Sequence, residues 1–224
     1  MTMEETLIQN AKPIAVIIGI LIGYPFMLQR KEKLHTDKQM QVFLLCLFFS
    51  FLSVLSAALF ASFERVLTGK GFSFGGVSMY GVYLLCPLFF FPLVPKRYRA
   101  DYFDCLTVYV IPSLILQRVS CFLSGCCYGD VIPSTSFRWP TRETEILFYI
   151  LVFLFLKNKE KDQNVKEGAL FPYLMISYGI FRFFNEFFRY SDSSGLFHLG
   201  HIWSVLAVIA GWSVYTELRK SKHR

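Results

Sequence analysis

The sequence predicts an all-α integral membrane protein whose seven transmembrane helices form a single domain, residues 1–224. Three observations support this class. Hydrophobic residues make up 54% of the chain and charged residues only 17%, whereas a soluble domain usually carries about 25% charged residues. The apolar residues fall into seven separate runs, and the basic residues are concentrated in alternate connections between those runs.

The seven apolar runs are compared with the length of about 20 residues that a helix needs to cross a bilayer. Their boundaries are 13–29, 40–63, 77–95, 104–125, 145–157, 169–188 and 199–216. The fifth run is the weakest, because its uninterrupted apolar core covers only 146–156. We expect this helix either to cross a thinned region with little tilt or to extend back toward Pro140.

Connections rich in basic residues alternate along the chain with connections poor in them. This alternation predicts the orientation of the helices in the membrane. The rich connections follow runs one, three, five and seven, and they contain Arg30, Lys31, Lys33, Lys38, Lys96, Arg97, Arg99, Lys157, Lys159, Lys161, Lys166, Arg219, Lys220, Lys222 and Arg224. The positive-inside rule places these residues in the cytoplasm, with the N-terminus outside and the C-terminus cytoplasmic. We expect no cleavable signal peptide, because residues 1–12 are acidic and no basic stretch precedes the first run.

The net charge of +7 is explained by this topology. Its basic residues lie in short clusters between apolar runs, so nucleic acid is not an expected partner. The sequence contains no glycine-rich phosphate loop and no Cys/His spacing of a zinc site. We therefore expect neither a cofactor nor a metal.

Three arginines lie inside or beside the apolar runs: Arg118, Arg182 and Arg189. A charge at such a depth costs roughly 2.5–3.5 kcal/mol on insertion, so it usually faces a partner, a cavity or a ligand. At about 1.5 Å per residue, Arg118 and Arg182 both lie roughly 20 Å along outward-running helices, and Arg189 lies further out. We expect all three to converge in the outer leaflet with the start of helix three, GGVSMYG (75–81).

Helix six carries a polar face, because Arg182, Asn185, Glu186 and Arg189 are spaced i, i+3, i+4 and i+7. Glu186 can pair with Arg182, and it is the one carboxylate that we expect inside a helix beside the arginines. The resulting surplus of arginine predicts a phosphate site, since guanidinium groups bind oxyanions bidentately. The alternative is an internal ion-pair network that locks helices four and six together. Carboxylate partners at two of the three arginines would favour that alternative.

Two motifs resemble the arginine signatures of the prolipoprotein diacylglyceryl transferase family. The first is LQRVSCFLSGCCYGD (116–130), with the pattern R-x-x-x-F-x-x-G-x-x-x-G, and the second is YGIFRFFNEFFRYSD (178–192). Shorter similar blocks extend from about Gly19 to Gly211, and they include GGVSMYG (75–81), PTRETE (140–145) and GHIWSV (200–205).

The resemblance implies a multi-pass enzyme of the bacterial cytoplasmic membrane. The family transfers a diacylglyceryl group from phosphatidylglycerol to the thiol of a lipobox cysteine in a prolipoprotein, and it releases glycerol phosphate. The implied partners are therefore membrane lipid and a lipobox peptide. The predicted arginines suit a leaving phosphate. A base is also needed, because a thiol with a pKa near 8.5 is mostly protonated at neutral pH.

Carried over by position, the resemblance implies that Arg118 and Arg182 are catalytic and stabilise the leaving phosphate. Tyr80 stands where the family has a catalytic histidine. The implied substrate-binding or supporting positions are Arg189, Glu186, Asn185, Cys121, Gly125, Gly129, Gly76, Gly81, Glu145 and His201. Gly125 and Gly129 are expected to allow close approach of backbone and lipid.

Two positions depart from the family pattern, since Tyr80 replaces the histidine and Cys121 replaces an asparagine. A free tyrosine, with a pKa near 10, is a poor base unless arginines lower that pKa; its hydroxyl can instead hydrogen-bond the lipid or the thiol. His198 and His201 are alternative bases, although a polar loop before a helix also explains them. A phospholipid-binding relative without catalysis would keep the arginines and need no base.

The six cysteines separate into two groups. Cys46, Cys86 and Cys105 lie in apolar runs and are expected to be small buried hydrophobic residues. The others, Cys121, Cys126 and Cys127, lie near the outer face, where disulfides can form. Adjacent cysteines bridge only with strain, so we expect Cys121 to pair with one of the other two. A thiol–disulfide protein using Cys126 and Cys127 is the third functional alternative, and the sequence has no C-x-x-C motif to support it.

Overall fold

The computed structural model describes residues 15, 17–26, 39–73, 76–93, 99–123, 125, 127–162, 165, 167–189 and 197–220. These residues form seven α-helical stretches: α1 (Ile17–Phe26), α2 (Gln39–Leu67), α3 (Cys86–Phe90), α4 (Arg99–Leu123), α5 (Thr141–Lys161), α6 (Leu170–Glu186) and α7 (Leu199–Lys220). In the described ranges no strand forms, and the extended pairing amounts to two isolated antiparallel bridges, Gly129 with Arg189 and Val131 with Arg138. The predicted all-α class is confirmed.

Three helices within the described ranges are long and apolar enough to cross a membrane. These spans are Leu47–Leu67 in α2, Asp104–Leu123 in α4 and Leu199–Thr216 in α7. Large apolar side chains are exposed on the outside of the helices, for example Phe51 at 66% and Ile209 at 55%. Such a surface suits lipid, because a soluble monomer rarely exposes a large contiguous apolar area. The predicted membrane class is thus supported, whereas the count of seven crossings, the orientation and the single domain stay predictions.

The third predicted helix, 77–95, is irregular. A π-helical turn, Gly81–Leu85, precedes α3, and a 3-10 turn, Phe91–Leu93, follows it. Pro87 and Pro92 cannot donate a backbone hydrogen bond, which accounts for the interrupted path. Gly81 packs directly on the backbone of Ser56 in α2, where a Cβ atom would collide. The fifth helix takes the longer of its two predicted forms and begins at Thr141, directly after Pro140.

Asp104 fixes the relative height of α4 and α6. Its side chain is 1% exposed, and its two carboxylate oxygens accept hydrogen bonds from the backbone N–H groups of Gly168 (2.7 Å) and Leu170 (2.9 Å). A carboxylate at a helix N-terminus satisfies unpaired N–H groups and complements the helix dipole. Since Arg118 and Arg182 lie at similar distances from this joint, they reach the same level of the bundle.

Small residues bring neighbouring helices close together. Gly19 and Gly23, one turn apart on α1, lie against Ser113 and Tyr109 of α4, where added Cβ atoms would collide. This is the small-xxx-small spacing that lets membrane helices approach closely. The backbones of α1 and α4 are therefore in direct contact.

A layer of tyrosines forms the core below the arginines. Tyr83, Tyr109, Tyr149 and Tyr178 are almost completely buried. The rings of Tyr83 and Tyr178 lie 4.4 Å apart, and the hydroxyls of Tyr83 and Tyr149 lie 3.4 Å apart. Tyr178 precedes Arg182 by one helical turn, so this layer supports the arginine site from inside the bundle.

Candidate active site

The chemically distinctive residues meet at one end of the bundle. Helices α2, α4 and α6 end there, whereas α5 and α7 begin there. Arg118 and Arg182 lie near the ends of their helices, Glu145 lies in the second turn of α5, and Gly200 lies in the first turn of α7. Alternation of helix direction along the chain therefore collects these groups in one place.

A cavity of about 310 Å³ with mainly polar walls lies between these helix ends. Its lining consists of Glu64, Val77, Ser78, Met79, Tyr80, Gln117, Arg118, Cys121, Cys127, Tyr178, Arg182, Glu186, Arg189 and Gly200. The structure thus brings together the three predicted arginines, Tyr80, Cys121 and Glu186.

Two carboxylates hold the arginines. Glu145 is 2% exposed and bridges two guanidinium groups, with Arg118 Nη2 at 2.7 Å from Oε1 and Arg182 Nη1 at 3.4 Å from Oε2. Glu186 Oε2 lies 2.7 Å from Arg182 Nη2 and 4.0 Å from Arg189 Nη1. The network therefore joins α4, α5 and α6, and each of the three arginines has a carboxylate neighbour.

This network corrects the expectation that Glu186 would be the one carboxylate inside a helix beside the arginines. That expectation was wrong because helix five was predicted to begin at residue 145, which placed Glu145 at a boundary. In the structure α5 begins at Thr141, and Glu145 is buried inside it. The surplus of positive charge is smaller than predicted, and the condition that favours the ion-pair network between helices is met, because all three arginines have carboxylate neighbours.

The two buried arginines nevertheless keep unused donors. Arg118 is 9% exposed and Arg182 is 3% exposed, and in the described structure the Nε atom of each has no hydrogen-bond partner. A guanidinium group offers five N–H donors, so the ion pairs occupy only some of them. Buried polar groups are normally paired. Both arginines line the cavity, so the part of each guanidinium group that faces it suits a ligand with acceptor oxygens, whereas the two Nε atoms themselves are fully buried.

Tyr80 is hydrogen-bonded to the first turn of α7. Its hydroxyl lies 2.8 Å from both the Gly200 carbonyl oxygen, to which it donates, and the Ser204 Oγ. Its ring packs against Tyr178 at 5.9 Å. Tyr80 therefore lines the cavity and also fixes the position of α7.

His201 lies outside the cavity lining. Its Nδ1 accepts a hydrogen bond from the backbone N–H of His198 at 3.0 Å. Its ring is enclosed by Phe183, Phe187 and Phe197, with centroid distances of 5.2, 4.4 and 5.3 Å. His201 therefore lies within the first turn of α7 and is buried, at 2% exposed, so it is not part of a polar loop before that helix as the simpler interpretation expected.

Asn185 faces α5 and not the arginines. Its Nδ2 donates to the Thr141 carbonyl oxygen at 3.4 Å, and its Oδ1 accepts from Thr144 Oγ1 at 3.3 Å. It lines a second, apolar cavity of about 360 Å³ together with Trp139 and Phe181. The polar face predicted on helix six thus has two different surroundings. Asn185 contacts α5, whereas Arg182, Glu186 and Arg189 line the polar cavity.

The glycines act differently from one another. Gly129 lies so close to the carbonyl oxygens of Trp139 and Phe188 that a Cβ atom would collide with them, so its close approach is to protein backbone. Gly125 has open space beside it and a φ of 62°, a backbone conformation that favours glycine. An added Cβ at Gly76 would make only ordinary contact.

The structure adds Glu64 to the predicted residues. It lies in the last turn of α2 and lines the cavity. The second apolar run was predicted to end at residue 63, so Glu64 was placed in a loop. An acidic residue directly after an apolar run was the available signal.

The predicted burial holds for Cys86 and Cys105, but Cys121 is buried as well, at 5% exposed, and the side chain of Cys46 lies outside the described residues. Cys86 and Cys105 are each 1% exposed. Cys121 and Cys127 both line the cavity, and no disulfide joins these two residues. Cys126 lies outside the described residues, so a bridge to it stays a prediction.

Comparison with known proteins gives one family. A model of the prolipoprotein diacylglyceryl transferase family matches residues 13–216. Phosphatidylglycerol–prolipoprotein diacylglyceryl transferase 2 of Clostridium perfringens (strain 13 / Type A) is 33% identical over 140 residues, which cover 51% of this chain and 52% of the relative. The Clostridium tetani (strain Massachusetts / E88) transferase is 31% identical over 143 residues, which cover 54% of this chain and 53% of the relative.

A longer match is found with the transferase of Aeromonas salmonicida (strain A449). It is 27% identical over 202 residues, which cover 75% of this chain and 72% of the relative. The match to the two clostridial relatives spans about half of their length. Because the family model covers most of the sequence, including both arginine motifs, this chain belongs to the prolipoprotein diacylglyceryl transferase family.

Proposed function

We propose that this chain transfers a diacylglyceryl group from phosphatidylglycerol to a cysteine thiol of a prolipoprotein and releases glycerol phosphate. The observation that carries this proposal is the pair of buried guanidinium groups, Arg118 and Arg182, that line one polar cavity. The names of the relatives state the same two substrates.

The chemistry explains why this arrangement suits the reaction. The acceptor sulfur forms a bond to a glyceryl carbon, while the bond between that carbon and a phosphate oxygen breaks. Negative charge develops on the departing oxygen. Guanidinium groups that are already oriented stabilise this charge without further reorganisation, which is commonly the largest contribution to such catalysis.

Glu145 supports this role by holding the two arginines in position. Its two oxygens contact two different guanidinium groups, so neither arginine has to be ordered when the lipid binds. Among the five groups of the network, three arginines face the carboxylates of Glu145 and Glu186. A bound phosphate would contribute the remaining negative charge.

We also propose that this end of the bundle lies in the outer leaflet of a bacterial cytoplasmic membrane, where a lipobox peptide can reach it. The cations at the opposite end support this orientation. Lys157, Lys159 and Lys161 lie in the last turns of α5, and the positive-inside rule places such residues in the cytoplasm.

Phospholipid binding without turnover is the second candidate. It is favoured by the ion pairs at the arginines and by the attachment of the Tyr80 hydroxyl to Gly200. In this case the network would hold a headgroup while no base activates a thiol.

The first experiment incubates the purified protein in detergent with phosphatidylglycerol and a lipobox peptide. Diacylglyceryl-peptide and glycerol phosphate are followed for the wild type, Arg118→Ala, Arg182→Ala and Tyr80→Phe. We expect product from the wild type and a loss of about 10²-fold or more in either arginine variant, with a smaller loss in Tyr80→Phe. Arg142→Ala is the matched control, because Arg142 pairs with Glu143 at 3.5 Å outside the cavity.

The outcomes separate the three functional alternatives. Absence of product from a folded wild type that still binds phosphatidylglycerol would identify a lipid-binding protein. A thiol–disulfide protein would instead form no transfer product, and its exchange activity would tolerate the arginine changes but require Cys126 or Cys127. Equal losses in Arg182→Ala and Arg142→Ala would show that the cavity is not the site.

A further inference from the structure

We infer that Glu64 is the general base that takes the proton from the acceptor thiol, an inference that rests on the proposed transfer reaction. The transfer requires a thiolate, because a thiol with a pKa near 8.5 is mostly protonated at neutral pH. A group on the cavity wall that can accept a proton must therefore supply the base.

Glu64 lies where such a base is needed. It is half-buried in the last turn of α2 and lines the same cavity as Arg118 and Arg182. Its carboxylate lies beside the Ser78 hydroxyl and the Trp203 indole, and its charge interacts with Arg189. It comes from a different helix than either of the arginines that would hold the phosphate.

The other carboxylates of the site are occupied by arginines. Glu145 contacts both Arg118 and Arg182, and it is not part of the cavity lining. Glu186 contacts Arg182 at 2.7 Å. Within the described residues Glu64 forms no ion pair with an arginine or a lysine, so its oxygens can receive a proton from a ligand.

The non-carboxylate candidates are less suitable. The Tyr80 hydroxyl already donates to the Gly200 carbonyl oxygen. His201 is enclosed by phenylalanine rings and does not line the cavity. Glu64 is thus the carboxylate on the cavity wall that, within the described residues, carries no arginine or lysine ion pair; its neighbours Ser78 and Trp203 are neutral donors.

The proposed step is balanced in atoms and charge. The Glu64 carboxylate accepts the S–H proton as the sulfur attacks the glyceryl carbon. The electron pair of the breaking carbon–oxygen bond leaves with the phosphate, which Arg118 and Arg182 hold. Glu64 then releases its proton to water.

Other titratable and charged groups share this environment, and they affect how the pH dependence is tested. Arg65 lies next to Glu64 on α2, and the groups that face the cavity from other segments are Tyr80, Arg118, Cys121, Cys127, Tyr178, Arg182, Glu186 and Arg189. The fall in transfer rate at low pH is therefore assigned to protonation of Glu64 only if this fall is absent in Glu64→Gln and is still present in Arg182→Ala.

The test measures transfer from phosphatidylglycerol to a cysteine peptide and to the matching selenocysteine peptide, whose selenol is ionised at neutral pH. For Glu64→Gln we expect a loss of about 10²- to 10⁴-fold with the cysteine peptide at neutral pH and unchanged phosphatidylglycerol binding. The loss should shrink above the thiol pKa of about 8.5 and with the selenocysteine peptide. Neither high pH nor the selenocysteine peptide should restore the transfer activity of Arg182→Ala.

Glu64→Asp and Glu143→Gln complete the series. Glu64→Asp keeps a carboxylate, so it should show a smaller loss with the same relief by selenocysteine, and it replaces Glu64→Gln as the test if the latter does not fold. Glu143 lies outside the cavity, so Glu143→Gln should behave as wild type. Wild-type activity in Glu64→Gln, or a loss that neither high pH nor selenocysteine relieves, would overturn the inference. A wild type without product at any pH would overturn the proposed function itself.

Discussion

At the scale of single residues, Glu145 determines how the arginine site is held. It is buried, and its two oxygens contact guanidinium groups from two helices. For Glu145→Gln we expect a loss of about 3–5 kcal/mol in the free energy of unfolding, because two buried arginines lose a shared counter-charge. Thermal unfolding in detergent, followed together with transferase activity, measures this change.

Two variants calibrate the Glu145 prediction. Glu143→Gln changes the same residue type two positions earlier on the surface of α5, and it should alter the free energy of unfolding by less than about 0.5 kcal/mol. Arg118→Ala leaves Glu145 paired with Arg182, so it should destabilise the protein less than Glu145→Gln. If Glu145→Gln is as stable as wild type, the bridge does not hold the site.

Residue patterns alone identified the arginines and the pair of Arg182 with Glu186, but not the bridge through Glu145. Arg118 and Arg182 stand out because a charge inside an apolar run is visible locally in the sequence. Glu145 and Glu64 lie at the edges of such runs, where helix boundaries are least certain. Their contacts join residues that are distant in sequence, such as Glu145 and Arg182, and no local pattern reports such a contact.

At the scale of helices, Asp104 sets the register between α4 and α6. Asp104→Ala removes the acceptor for the backbone N–H groups of Gly168 and Leu170. Each buried N–H left without a partner costs about 1–3 kcal/mol, so we expect a loss of several kcal/mol in stability. Transferase activity should also fall, because Arg118 and Arg182 depend on this joint for their common level.

The control for this element is Asp162→Ala. Asp162 lies directly after the last turn of α5, with a side chain that is 38% exposed and 3.9 Å from Lys159, and exposed pairs contribute little. We expect its unfolding midpoint and activity to match wild type. An Asp104→Ala protein that keeps wild-type stability would show that contacts elsewhere fix the register.

Helix boundaries were predicted well where an apolar run is uninterrupted and poorly where backbone chemistry intervenes. Runs four, six and seven correspond closely to α4, α6 and α7. The third run gave no sign of its π-helical turn, because an α-helical turn and a π-helical turn can have the same hydrophobic residues. Pro87 and Pro92 were the local signals of interruption, and the fit of Gly81 against Ser56 depends on another helix.

At the scale of the whole molecule, alternation of helix direction places the arginine cavity and the basic cluster of α5 at opposite ends. Arg118, Arg182 and Gly200 lie at one end, and Asp104 and Lys157 lie toward the other. The positive-inside rule predicted which end is cytoplasmic. Many of the cations on which that prediction depends, including Arg30 through Lys38, lie outside the described residues, so the orientation needs a direct test.

Labelling of introduced cysteines provides that test of orientation. Ser136 is exposed in the segment between α4 and α5 at the cavity end, and Lys161 is exposed in the last turn of α5. With a membrane-impermeant maleimide on intact spheroplasts, Ser136→Cys should be labelled, whereas Lys161→Cys should be labelled only after the membrane is opened. The wild type corrects for the native cysteines. The reverse pattern would put the cavity on the cytoplasmic side, where a lipobox peptide displayed at the outer surface could not reach Arg118 and Arg182, and the proposed transfer reaction would then fail on geometry alone.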